Sequence, residues 1–262
     1  MLKSLSSSAP RLLAFDCATS VRSVAVCHGA KVLAHLQEQA SQGEAQRLIP
    51  LIEAAMAAAS MTYQDLDGIA VTLGPGSFTG LRVGLATARG ICLAAQKPLL
   101  GVTTLEALAG DCSDRVILAT VDSRRREPYV QIFHRPSFTT SLIPGLTPSL
   151  TSAEPQSLTE PQPLTEPMAC DTELLAAVVR AAAEGPIAVI GNCAKDILPV
   201  LRADNIDASL GTPSVPSAVS VARIAAPRLA AARQGEPLIA TAPLYLRPAD
   251  AVPARAGGKL RP

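Results

Sequence analysis

Between Arg11 and Leu36 three short apolar runs follow one another almost without interruption: RLLAFDC, SVAVCH and KVLAHL. Each has the length of a strand, and Gly29 stands between the second and third, where a hairpin has to turn. A chain that opens as a three-stranded meander has committed to a sheet whose faces need covering. Alternation then sets in. Leu48, Leu51, Ile52, Ala55 and Ala59 recur at three- and four-residue spacing, which predicts a helix over 44–59 with one apolar face. Pro50 predicts an irregular first turn or a kink in it. A strand in GIAVTL, a helix after Gly76, a strand in LLGV and a short helix in TTLEALAG come next, then a strand pair in RVILATVD and YVQIF. The second half repeats the pattern loosely, with helices near 172–184, 193–201 and 217–234 and a strand in IAVIG. The whole reads as an α/β chain of two lobes, each a mixed sheet covered by helices.

At 262 residues and 48% hydrophobic, the chain can bury that much core. Its net charge of +1 gives no basic face of the kind that grips nucleic acid unaided, and Arg124-Arg125-Arg126 reads first as a solvated loop. Six cysteines, none in a C-x-x-C pair, argue against a structural zinc site and against a disulfide scaffold. No apolar run approaches the ~18 residues of a membrane span and MLKSLSSSAPR lacks a signal-peptide core, so a cytoplasmic protein is expected. Residues 136–167, rich in Pro, Ser and Thr with the near-repeat SLTEP and PLTEP, read as a flexible surface insert, and the tail 249–262 as disordered.

The densest stretch is LGPGSFTGLRVGLATARG, Leu73 to Gly90. Its glycines invite a phosphate-binding reading, which the spacing rejects. No lysine follows Gly80 as a Walker loop requires, and Gly80 stands one place late for G-x-G-x-x-G. Pro75 also removes an amide from the turn that would have to cradle an anion. Along the helix, Gly80, Gly84, Ala88 and Cys92 recur every four residues as a ridge of small side chains flanked by Leu81, Val83 and Leu85. Interior glycines cost a helix about 1 kcal/mol each relative to alanine, so the ridge serves a close approach. The approaching body is either the chain's own sheet or a partner.

The segments FDCATS, LGPGSFTGLRVGLATARG, GVTTLEALA, DSRRREPY and PLYLRP occur in the order in which they occur in the TsaB family, and over most of residues 11–248 the chain resembles that family. The resemblance implies an actin/Hsp70/sugar-kinase-like (ribonuclease H-like) fold of two lobes. The expected division is an N-terminal tail 1–10, a first lobe 11–112, a second lobe 113–216 and a 217–248 segment, helix and strand, that packs back on the first. It also implies a non-catalytic companion of a related transferase, TsaD, joined by an ATPase, TsaE. That complex moves a threonylcarbamoyl group onto N6 of the adenosine beside the anticodon of ANN-decoding tRNAs. The chain alone is left as either a homodimer or a monomer, tRNA is met indirectly through the complex, and no cofactor is expected. Pro128 in DSRRREPY stands where the family has an apolar β-branched residue, which puts the adjoining strand's pairing in doubt.

The catalytic relative carries H-x-x-x-H as metal ligands; here Thr104 and Leu108 occupy those positions, and leucine offers no lone pair. His28, His35 and His134 show no i, i+4 pairing, and no G-x-S-x-G or H-E-x-x-H occurs. No metal site is expected. Asp16 and Thr19 lie at the first strand–turn, where kinases of this superfamily meet phosphate, so a weak nucleotide contact is expected there; an aspartate closing a hairpin turn is the equal alternative. The candidate partner interface is Leu48, Leu51, Ile52 and Ala55 of the first helix with Gly80, Leu81, Gly84, Leu85 and Ala88 of the second, two helices per subunit forming a four-helix junction. The competing reading is a stand-alone small kinase or peptidase-like enzyme of the same superfamily.

Overall fold

The computed structural model describes residues 9–39, 44–136, 160–236 and 241–247. Strands β1 (Arg11–Asp16), β2 (Val21–His28) and β3 (Lys31–Gln39) form the meander, with β1 antiparallel to β2 from Arg11↔His28 to Asp16↔Ser23. Helix α1 (Glu44–Ala58) follows, running through Pro50. Strand β4 (Gly68–Thr72), helix α2 (Phe78–Ala95) and strand β5 (Leu99–Val102) complete the sheet, β4 and β5 parallel to β1, in the order β3-β2-β1-β4-β5. Three antiparallel strands extended by parallel ones make the mixed sheet expected from the meander and the alternation that follows it, in the ribonuclease H-like order that the resemblance implies.

The period-two alternation of β1 divides the core. Leu13 and Phe15 pack with Leu48, Ile52, Ala55, Leu85 and Ala88 under α1 and α2. Leu12 and Ala14 point the other way, to Val221, Ala225 and Leu229 of α6 (Ala218–Arg233). Both faces of the first sheet are therefore covered, which is why β1 and β4 carry no polar face. Helix α3 (Thr104–Asp111) lies between the lobes, giving Ala107 to the first core and Leu105 and Leu108 to the second.

In the second lobe β6 (Val116–Val121) pairs antiparallel with β7 (Tyr129–His134) and parallel with β10 (Ile187–Gly191), and β11 (Ala208–Leu210) closes the far edge. Helices α4 (Thr172–Ala182) and α5 (Ala194–Ala203) cover one face through Leu175, Val179, Ile197 and Leu201. The doubt over Pro128 is removed: β7 pairs with β6 along its full length, and the Pro128 carbonyl accepts from Cys170 N at 3.0 Å. Proline lost only its own N–H there, and that strand edge uses the carbonyl.

The insert is corrected in part. Residues 137–159 lie outside the described residues, as do 1–8 and 248–262. Its end docks: β8 (Gln162–Pro163) and β9 (Met168–Ala169) pair with β7, Leu164 N donates to Ile132 O at 2.8 Å, and Pro161 is buried. Residues 241–247 form no ladder strand; Leu244 N donates to Leu73 O at 2.7 Å, which lays the segment beside α2.

Candidate functional site

The Leu73–Gly90 turn brings α2 down onto the β1–β2 connection. Ser77 caps the helix, its hydroxyl accepting from Gly80 N at 3.2 Å, while its own amide donates to the Ala18 carbonyl at 2.7 Å. That amide is one of the groups an anion would need, and the chain's own carbonyl occupies it. A Cβ on Gly80 would lie 2.0 Å from the Cys17 carbonyl oxygen, and one on Gly76 2.2 Å from the Ala18 carbonyl oxygen. The small ridge is thus a seat for the β1–β2 connection.

This fixes the orientation of the predicted interface. Leu48, Ile52, Ala55, Gly80, Leu81, Gly84, Leu85 and Ala88 are all buried within the chain's own lobe, and Leu51 is half-buried against the same core. The ridge faces inward, and the opposite side of both helices faces solvent. That side carries Ile49, Ala54, Ala57 and Ala58 of α1 and Ala86, Gly90, Leu93 and Ala94 of α2, all exposed. Leu93 is 83% exposed and Ile49 51%, large apolar side chains left in water on two packed helices. The residues named from the sequence as a partner interface therefore face the chain's own core.

Between the lobes Asp16, Thr72, Thr104, Thr120 and Ser220 are all fully buried. Asp16 Oδ1 accepts from Thr72 Oγ1 at 2.7 Å and Ala18 N at 3.1 Å. Its Oδ2, like Thr19 Oγ1, Thr104 Oγ1 and Ser220 Oγ, has no hydrogen-bond partner among the described residues. Burial pushes the Asp16 carboxyl up to about 7, against the lowering by its Thr72 and Ala18 hydrogen bonds. Asp16 is thus fully enclosed, and Thr19 is half-buried with its hydroxyl oxygen inside. A groove of about 510 Å³ beside the same turn is lined by Ser20, Val21, Gln37, Glu38, Gln39, Ser214 and Val215. The Arg47 side chain, helped by Arg22, holds the Glu38 carboxyl below its usual range, so the carboxylate beside this groove is ion-paired with two guanidinium groups.

At the transferase's metal-ligand positions, Thr104 and Leu108 are core residues. Glu106 closes the N-terminal box of α3: Thr103 N donates to its Oε2 at 2.7 Å, and Arg228 donates to its Oε1 at 2.6 Å. His35 Nε2 hydrogen-bonds Ser23 Oγ at 2.9 Å, and Arg115 Nε lies 3.3 Å from His134 Nε2, both structural uses. Among the described residues no group of three His, Cys, Asp or Glu side chains is placed to hold a metal, and no helix is long and apolar enough to cross a membrane.

Sheet order and connectivity define an α/β protein of two mixed sheets covered by helices, with Asp16, Thr72, Thr104, Thr120 and Ser220 buried. Residues 35–135 match the family described as TsaD, tRNA N6-adenosine threonylcarbamoyltransferase. The chain is 34% identical over 129 residues to the tRNA threonylcarbamoyladenosine biosynthesis protein TsaB of Escherichia coli, covering 48% of this chain and 55% of that one. It is 33% identical over 123 residues to TsaB of Haemophilus influenzae, covering 45% and 51%. The matched stretch thus spans about half the length of these relatives. A Pseudomonas aeruginosa structure described as similar to the peptidase YEAZ has the same fold, with a TM-score of 0.67 at 24% identity over 91% of this chain and 100% of that one. The chain is thus similar to TsaB proteins over about half its length and shares the fold of YeaZ structures over nearly all of it.

Proposed function

We propose that the chain is the non-catalytic subunit of a complex that transfers a threonylcarbamoyl group to N6 of adenosine in tRNA. In this reading it pairs with a TsaD-like catalytic subunit, and a TsaE-like ATPase joins them. The observation that carries this is the outward α1–α2 face, where Leu93, Ile49 and a run of alanines lie exposed on helices whose other sides are already packed. Small residues allow two such faces to approach closely, so the four-helix junction is retained with the opposite flank of each helix. Thr104 and Leu108 in the core, and Asp16 fully enclosed, favour a subunit that acts through its surface over one that turns over substrate alone. A homodimer through the same face, in the absence of the catalytic subunit, follows from the same exposure.

The test is co-expression with the cognate TsaD-like subunit and measurement of the size of the product. Leu93→Asp should leave folding intact, since the side chain is 83% exposed, and should weaken the complex by at least about tenfold, since a charge desolvated without a partner costs several kcal/mol. Full-strength association of Leu93→Asp and Ile49→Asp would reject the interface. Threonylcarbamoyl transfer by the isolated chain would reject the companion role.

A further inference from the structure

We propose that the surface joining the start of α2, the 241–247 segment and the β6–β7 loop is a contact site for unpaired RNA. Phe78 is 51% exposed and Tyr245 49%, with ring centroids 5.8 Å apart and planes tilted by 36°. The Arg82 guanidinium carbon sits 3.6 Å from the Phe78 centroid, and its Nε donates to the Tyr245 hydroxyl at 3.3 Å. Two aromatic planes and a guanidinium plane are therefore assembled at the surface, where packing does not demand them.

Both lobes hold this assembly in place. Leu244 N donates to Leu73 O at 2.7 Å, and Arg89 donates to Thr241 O at 2.9 Å. Two residues beyond Tyr245, Arg247 donates to the Glu127 carboxylate in the β6–β7 loop. That loop is itself fastened: Asp122 N donates to Asn192 Oδ1 at 2.8 Å, Arg124 N to Asp122 Oδ1 at 2.7 Å, and Ser123 Oγ to Glu127 O at 2.7 Å. The neighbouring carboxylates are engaged. Arg247 holds Glu127, and Arg126 meets Asp171 at 3.6 Å and Glu173 at 2.5 Å. Arg82, Arg89, Arg124 and Arg125 remain exposed, around the aromatic pair and along the loop that Arg247 ties to it.

Aromatic and guanidinium planes stack bases whose faces are free, and guanidinium groups meet phosphates. A duplex hides its base faces, so the chemistry selects single strands. The apolar surface suited to a protein partner continues along the same helix, from Ala86 through Gly90 and Leu93 onto α1, whereas the aromatic pair and its guanidinium stand at the start of α2. The choice of RNA over another polyanion rests on the tRNA reading above; the geometry of the surface does not. With a net charge of only +1, the contact is an auxiliary one, with an affinity in the range of roughly 10⁻⁴–10⁻⁶ M typical of non-specific binding.

The experiment is fluorescence anisotropy of the full chain with a labelled unstructured oligoribonucleotide and with a duplex of the same length, across a salt series. The single strand should bind more tightly than the duplex. Arg124→Ala should reduce the slope of log K against log salt by about 0.7, the share of one phosphate. Tyr245→Leu should weaken binding about tenfold while Tyr245→Phe retains it, because stacking needs the ring and not the hydroxyl. Absence of binding at low salt overturns the proposal, as do equal affinities for strand and duplex, or variants that all bind like the parent. Variants that keep RNA affinity but lose the catalytic subunit would make this face a protein interface and also overturn it. The assay needs no partner and no modification activity. A chain that binds RNA but never joins a transferase therefore sinks the proposed function alone, and the converse result sinks only this inference.

Discussion

Gly80→Ala tests whether the glycine-rich stretch exists to seat the β1–β2 connection. The added Cβ would lie 2.0 Å from the Cys17 carbonyl oxygen and 3.2 Å from its carbon, so one backbone must retreat by roughly 1 Å. Neither is free to do so, since Ser77 N is bonded to Ala18 O at 2.7 Å and Gly80 N to Ser77 Oγ at 3.2 Å. Overpacking of this kind sits at the upper end of its range, about 3 kcal/mol, and the helix-propensity gain of alanine returns about 1. The net loss of about 2 kcal/mol should lower Tm by roughly 4–8 °C. Two controls share the helix. A Cβ on Gly90 meets nothing within 4 Å, and one on Gly84 meets Cys17 Cβ and Val71 Cγ2 at 3.6 Å, an ordinary contact. Both substitutions should therefore raise Tm by roughly 2–4 °C. Thermal melts followed by far-UV circular dichroism read all three. If Gly80→Ala melts with or above Gly90→Ala, the carbonyl seat does not constrain the helix and the glycines need another explanation.

Asp16→Asn should remove a pH dependence. Because folding raises the carboxyl from 3.8 to about 7, its favourable contribution is complete below about pH 4, is lost as pH rises to 7, and leaves a penalty of about 4 kcal/mol above that. The asparagine variant should thus melt higher than the parent at pH 8, with the advantage gone at pH 4; equal melting at both would show that the carboxyl is not desolvated. Arg135 donates to Ala109 O at 2.9 Å and Cys112 O at 2.6 Å at the end of α3, so Arg135→Met should cost about 3 kcal/mol in urea unfolding, and a change below 1 would refute that role. Replacing 137–159 by a short Gly/Ser bridge should leave Tm within about 2 °C of the parent, since the composition cannot bury enough apolar area to order it. Extending the deletion through Thr165 should destabilise, because Thr165 accepts from Gln131 Nε2 at 2.9 Å and from Ile132 N at 3.1 Å.

What sequence reveals here follows the length over which a pattern repeats. The meander, α1, α2 and α6 each carry several periods of apolar spacing, and their existence and type were legible. Strands β8 and β9 have two residues each and β11 three, too few for any period, and they exist through edges offered by β7 and β10. The face of α2 was illegible for a different reason. The helix is small or apolar nearly all round, so periodicity does not choose between the Gly80–Gly84–Ala88 side and the Ala86–Gly90–Leu93 side. The Cys17 carbonyl makes that choice, and a carbonyl leaves no trace in the identity of the residue that carries it. The same limit explains why the turn looks like a phosphate loop. Glycines that let a backbone come near an anion also let it come near a carbonyl, and both approaches need an open amide. In this chain the Ser77 amide meets Ala18 O. That oxygen comes from the turn after the chain's own first strand, so the glycine-rich stretch closes the lobe on itself.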